Sequence, residues 1–258
     1  MNIRIISGNW KMNGSKKDIE NWFNDFFAKV EEFKNKDNKK IPDILICFPS
    51  IYIPYAQEIA EKYNNNNLKV FIGAEDCHQE NKGAFTGNIS PIMLKEFNVK
   101  YTILGHSERR QFEKETNEIV AKKALNSLNN DLTPIVCVGE SLEIREKKEH
   151  LDFIKKQVIE STKGVDLKKI IIAYEPVWAI GTGKVPTLEE IEEINSHIKT
   201  VLAKENNLTE NDINVLYGGS VKSSNTKDIT SLKSVNGVLV GGASLKGEEF
   251  FNIVINTL

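Results

Sequence analysis

The sequence is poor in several things whose scarcity narrows its class. Its 258 residues include only three cysteines, Cys47, Cys77 and Cys137. That odd number, without metal-ligand spacing, excludes a disulfide framework and leaves at least one thiol unpaired. Such usage suits a reducing compartment. Neither sign of charge is in real excess: 34 Lys and Arg stand against 36 Asp and Glu, a net charge of −2. The chain therefore offers no general attraction to nucleic acid or to an anionic membrane, and any anion must be held by a local site. No run of 18 apolar residues occurs. The opening MNIRIISGNWKMN has neither a signal-peptide core nor the look of a transit peptide, so a cytoplasmic protein is expected. HExxH and CxxC are absent. GTGKVP at 181–186 lacks the earlier glycine and the final Ser/Thr of a P-loop. A reaction that uses no metal or coenzyme is the expectation.

What is present is ordinary globular composition, 40% hydrophobic and 27% charged residues. The length allows one or two domains, and single α/β barrels run this long. Eight short apolar runs recur along the chain: IRIIS (3–7), DILICF (43–48), VFIGA (70–74), YTILG (101–105), TPIVCVG (133–139), IIIAYE (170–175), INVLYGG (213–219) and VNGVLVGG (235–242). They barely alternate in polarity, as expected of strands buried on both faces of a parallel sheet. Between them lie helix signals. Ser15 with Asp18, and Thr187 with Glu190, have capping-box spacing. After Thr187, the positions Leu188, Ile191, Ile194, Ile198 and Val201 step by three or four, which makes one helical face. Eight strand-then-helix units without a composition break favour a closed (β/α)8 barrel, one domain over 1–258. The competing doubly wound sheet would leave two edges to protect. The polar stretches at 34–40 and 63–67 read as surface loops.

In such barrels the chemistry lies where strands end, so the polar residues after each run are the informative ones. Run one is followed by Asn9 and Lys11, run four by His106, run six by Glu175, and runs seven and eight by YGGS and GGAS. Each has a bland alternative. Glu175 could be an ion-paired rim carboxylate, His106 a satisfied structural histidine, Lys11 a rim cation and Asn9 a turn former. The pairs Gly218–Gly219 and Gly241–Gly242 are explained either as tight turns at positive φ or as backbone that approaches a phosphate closely. Two pairs at consecutive strand ends favour the phosphate. Cys47 and Cys137 sit inside apolar runs, where they pack as small hydrophobes.

GNWKMNG (8–14), GAFTG (83–87), LGHSERR (104–110), YEPVWAIGTGK (174–184), YGGS (217–220) and LVGGASLK (239–246) occur together in this order. With them the sequence resembles the triosephosphate isomerase family over almost its whole length. The resemblance implies a TIM barrel that interconverts dihydroxyacetone phosphate and D-glyceraldehyde 3-phosphate through an enediolate, in glycolysis and gluconeogenesis, without a cofactor. It implies Glu175 as the base and His106 as the electrophile. Lys11 and Asn9 would stabilise substrate and developing oxyanion, with Ser107 supporting the base and Glu108 supporting Lys11. Gly181, Ser220, Gly241 and Gly242 match a phosphate grip. Pro176, Val177, Trp178, Ala179, Ile180, Gly181, Thr182, Gly183 and Lys184 match a lid. The start of a helix at SERR would keep the His106 ring neutral through its dipole.

The resemblance further implies a homodimer, with a finger at 79–88 carrying Phe85 and Thr86 into a partner and Arg109 as a contact across the interface. Departures from the family pattern cluster here: Glu75 and Asp76 stand where Gln-Asn is commoner, and Asn88 where Glu is usual. Val185 and Pro186 follow the lid where Thr and Ala are more frequent. Two other functions compete. A Schiff-base aldolase would need a lysine deep in the barrel, and an epimerase would often want a metal cluster. A binding scaffold that used the fold alone would not need Lys11, His106 and Glu175 together.

Overall fold

The structure is a computed structural model that describes residues 5–37, 39–64, 68–180 and 184–258. Its centre is a closed barrel of parallel strands in sequence order: β1 (Ile5–Asn9), β2 (Ile44–Phe48), β3 (Val70–Ala74), β4 (Tyr101–Leu104), β5 (Thr133–Val138), β6 (Ile171–Tyr174), β7 (Asn214–Tyr217) and β8 (Gly237–Val240). Seven of the expected runs contain their strand whole, while β1 begins inside the first run and continues past it to Asn9. Closure comes from β1 pairing with β8, Ile5 opposite Gly237 and Gly8 opposite Val240. No strand is left with an open edge.

Strand β2 shows why the runs do not alternate in polarity. Leu45 and Cys47 point into the barrel, where they pack with Ile103, Ile135, Cys137, Ile171, Ala173, Leu216 and Leu239. Ile44, Ile46 and Phe48 point outward, into the layer between barrel and helices. Both directions are apolar, so period two carries no polarity signal. Truncating one of the interior leucines to alanine would cost about 2–5 kcal/mol, because few side chains fill so narrow a space.

The helices are α1 (Lys16–Lys34), α2 (Ile53–Tyr63), α3 (Pro91–Glu96), α4 (Ser107–Phe112), α5 (Asn117–Asn129), α6 (Leu142–Glu146), α7 (His150–Ser161), α8 (Leu188–Asn206), α9 (Ser223–Ser231) and α10 (Gly247–Ile255). Thr187 and Glu190 form the complete capping box of α8. At α1 only half the expected box forms. The Asp18 N–H donates to the Ser15 hydroxyl, but the Asp18 carboxylate accepts that same hydroxyl and not the Ser15 backbone. Of the expected loops, Lys34 and Tyr63 instead close α1 and α2, and residues 38 and 65–67 lie outside the described residues. Trp22 stacks on Phe26 in α1, and Phe250 of α10 packs against both, which ties the last helix to the first. Among the described residues no helix is long and apolar enough to cross a membrane.

Candidate active site

The strand ends bring Asn9, Lys11, His106, Glu108 and Glu175 to one cavity of about 420 Å³, whose opposite wall is Gly218, Gly219, Ser220, Gly241 and Gly242. Lys11 stands just beyond β1 with φ at +55°, left-handed backbone that a non-glycine residue enters only at a cost. It is fixed locally. The Lys11 N–H donates to Asn9 Oδ1 at 3.0 Å, and the Trp10 N–H donates to the Cys47 carbonyl at 3.1 Å. The ammonium lies 2.6 Å from Glu108 Oε1 and forms an ion pair with it.

Glu175 follows β6 and is almost wholly buried. Its backbone leaves no room beside it: a Cβ on Gly139 would lie 1.7 Å from the Glu175 carbonyl oxygen, and one on Gly218 would lie 3.0 Å from its Cγ. Its carboxylate is held on both oxygens. Oε2 accepts the Ser107 backbone N–H at 3.0 Å, and Oε1 is 3.0 Å from His106 Nε2. Ser107, the first residue of α4, thus holds the Glu175 carboxylate through its amide. Burial works to raise the Glu175 carboxyl, but the His106 ring, with the Ser107 N–H, outweighs it and holds the group below the usual glutamate range.

His106 caps α4 by accepting the Glu108 N–H on Nδ1 at 3.2 Å. That bond places the single proton of a neutral ring on Nε2, where it donates to Glu175. The expected influence of the helix start, which favours a neutral ring, is met by an opposing one from the neighbouring carboxylate. Burial disfavours a charged imidazole, and the neighbouring Glu175 carboxylate overcomes burial and raises the ring's proton affinity. The Glu108 N–H opposes a second proton by occupying the other nitrogen.

None of Gly218, Gly219, Gly241 and Gly242 has positive φ, which removes the tight-turn explanation. A Cβ on Gly219 would lie 2.2 Å from the Tyr217 hydroxyl, and one on Gly241 would approach Lys11 Cε at 3.7 Å, while Gly242 faces open space. Bare backbone therefore lines this wall. The cavity also takes Val221, Lys222, Leu239 and Ala243, none of them singled out in the sequence. Lys222 was legible as a cation two residues beyond YGGS.

Of the expected lid, Val177, Trp178 and Ala179 form a 3₁₀ turn. Val177 N–H donates to the Glu140 carbonyl at 3.2 Å, Ser220 Oγ donates to the Ala179 carbonyl at 3.3 Å, and Ile180 lines the cavity. Gly181, Thr182 and Gly183 lie outside the described residues. Glu140, missed by sequence reading, accepts Trp178 Nε1 at 2.8 Å.

Arg109, expected to face a partner, is engaged within the chain, 3.0 Å from Asp76 and 2.6 Å from Glu115. Lys123 joins the same two carboxylates. Burial pushes Asp76 up to about 6 against the pull of both cations, and burial, its largest influence, pushes Glu75 up to about 8.

The description triosephosphate isomerase belongs to the family model that matches residues 4–257. The chain belongs to the triosephosphate isomerase family. It is 39% identical over 257 residues to the triosephosphate isomerase of Psychromonas ingrahamii, covering 98% of each chain. It is 41% identical over 254 residues to that of Alkaliphilus oremlandii, covering 97% of this chain and 98% of the relative. The crystal structure of triosephosphate isomerase from Bartonella henselae superposes with a TM-score of 0.83 at 35% identity, covering 97% of both chains. Membership in this family and the barrel architecture are thus two independent findings that agree.

Proposed function

We propose that this chain is a triosephosphate isomerase that interconverts dihydroxyacetone phosphate and D-glyceraldehyde 3-phosphate. The observation that carries the reading is the convergence of Lys11, His106 and Glu175 on one cavity walled by bare glycine backbone. Glu175 takes the proton from the carbon beside the carbonyl, and the electron pair left behind moves onto the carbonyl oxygen. His106 donates Nε2–H to that oxygen, and Lys11, with Asn9, stabilises its charge before it develops. The His106 ring then recovers a proton from the hydroxyl on the first carbon, which becomes the new carbonyl, while the same carboxyl returns its proton to the former carbonyl carbon. The substrate phosphate sits against Ser220, Gly241 and Gly242, where backbone free of side chains at the two glycines lets an anion approach closely, and the Gly181 that the family resemblance adds to this grip lies outside the described residues. The lid implied over 176–184 acts through its described part, Pro176 to Ile180, by excluding water and strengthening the electrostatics beneath it.

The working unit of this reading is a homodimer in the cytoplasm, and one chain forms one barrel domain over 1–258. Exposed Phe85, Met12 and Ile51 on one rim support the dimer, since apolar side chains of that size rarely stay exposed in isolation. Three buried free thiols suit a reducing compartment. A coupled assay of isomerisation on purified protein tests the activity. Borohydride with substrate is expected to trap no covalent adduct, and a trapped lysine would favour the aldolase.

A further inference from the structure

Glu140 stands in the loop after β5, is fully buried, and gathers the chain on both sides of Glu175. Its Oε1 accepts the hydroxyl of Tyr174, the residue just before the base, at 3.1 Å. The same oxygen accepts the indole N–H of Trp178, three residues after it. Its main-chain carbonyl accepts the Val177 N–H. A carboxylate so placed is costly unless a cation accompanies it. Arg145 of α6 is that cation. Its Nη1 donates to Glu140 Oε1 at 3.0 Å, and its guanidinium lies 5.2 Å from the Trp178 ring centroid.

The other arm of the guanidinium goes elsewhere. Arg145 Nη2 donates to Glu190 Oε1 at 2.8 Å. Oε2 of that glutamate accepts the Thr187 N–H at 2.8 Å, in the box that starts α8. One planar fork therefore holds the chain that carries the base and the chain that enters α8, on either side of 181–183. A lysine, with one compact charge, cannot reproduce two divergent bonds in fixed geometry.

We propose that Arg145 is a positioning residue for the Glu175 base, acting through Glu140 and joining the two flanks of the 176–184 segment. This rests on the isomerase reading above for its kinetic effect, and on the geometry alone for its structural one. Among the described residues, Glu140, Glu190 and Trp178, the partners of Arg145, do not line the substrate cavity, so losing Arg145 should shift the carboxylate without loosening the phosphate grip. Misplacement of a base approaching 1 Å costs up to about 10²-fold in rate.

The test compares Arg145→Met, Arg145→Lys and Glu190→Gln with the parent enzyme, in steady-state kinetics, thermal melts and tryptophan emission. Each variant is also paired with Trp178→Phe, so that subtraction isolates the Trp178 signal from Trp10 and Trp22. Expected are a kcat about 10- to 100-fold lower in Arg145→Met, KM changed by less than about threefold, and a shifted Trp178 emission. Arg145→Lys should recover part of kcat, and Glu190→Gln should show a smaller loss of the same kind. A folded Arg145→Met with parent kcat, or with a raised KM at unchanged kcat, would overturn the proposal. Should that variant not fold, parent kcat in both Arg145→Lys and Glu190→Gln overturns it equally. A parent enzyme without isomerase activity would sink the functional reading instead, and the emission comparison would still decide whether Arg145 governs the placement of Trp178.

Discussion

His106 Nε2 lies 3.0 Å from Oε1 of Glu175. The base and the electrophile of the proposed reaction are thus bonded to each other. A substrate engages both only by replacing that bond, Glu175 turning to a carbon-bound proton and His106 to a carbonyl oxygen. The pairing keeps the carboxylate ionised and the imidazole proton on the nitrogen that faces the cavity. It presets both groups for the exchange.

Shortening the base tests this arrangement. Glu175→Asp withdraws the carboxylate by about one bond, and a loss of about 10²-fold in kcat is expected with the fold intact. Glu175→Ala should lose far more. Near-parent turnover in folded Glu175→Ala, measured in the coupled assay, would remove Glu175 from the mechanism.

Lys11 should behave differently, because its charge acts on bound substrate as well as on the oxyanion. Lys11→Met is expected to raise KM and lower kcat together, by at least about tenfold in kcat/KM, since a water-excluded site supplies no replacement charge. Lys222 lines the same cavity. Unaltered constants in Lys11→Met would transfer the electrostatic role to Lys222.

Glu75 gives a dependence on pH. Its carboxyl, pushed up to about 8 by burial, keeps its proton in the folded chain where an unfolded chain releases it near the ordinary glutamate value of about 4.3. Between those two values the folded state binds more protons, so this group's contribution to stability falls as pH rises and is flat outside that window. Glu75→Gln removes the effect. Its advantage in Tm over the parent should grow by several degrees from pH 5 to pH 8 and then level off. A Tm difference independent of pH would contradict the assignment.

The assembly is checked by sedimentation. Phe85 is 42% exposed, Met12 96% and Ile51 81%, and a species of twice the chain mass is expected at assay concentration. Arg109 is already engaged by Asp76 and Glu115, so Arg109→Ala should lower thermal stability more than it weakens association. A fully active monomer would dismiss the dimer.

Pro186 is buried at the entry to α8. It fixes its own φ and keeps Val185 out of the helical region, which leaves fewer conformations beside the capping box. Pro186→Ala is expected to change kcat and KM together. A variant with a lowered Tm and parent kinetics would assign Pro186 to the scaffold.

Strand positions were legible because both faces of each strand are apolar, and the eight runs stand out against the charged helices. The Thr187–Glu190 box was legible for a similar reason, its chemistry being local. Where reading failed, either a rotamer or a partner distant in sequence decided the outcome. Ser15 and Asp18 have box spacing, yet whether Asp18 bonds a hydroxyl or an amide depends on a rotamer. Glu140 gave no signal, since a single glutamate after a strand looks like any surface carboxylate until Tyr174, Trp178 and Arg145 close around it. The paired glycines were read as turns or as anion backbone, and the lack of positive φ at all four removes the turn reading.

Lys11 keeps its left-handed backbone while carrying the charge that the proposed chemistry needs. At most positions such a conformation is relieved by glycine, and a search for more stable variants would find that substitution first. Here the relaxed residue is also the inert one. Screening this enzyme for heat resistance alone would therefore enrich dead catalysts at position 11, whereas screening for activity after heating would keep lysine there and gather its gains elsewhere in the barrel.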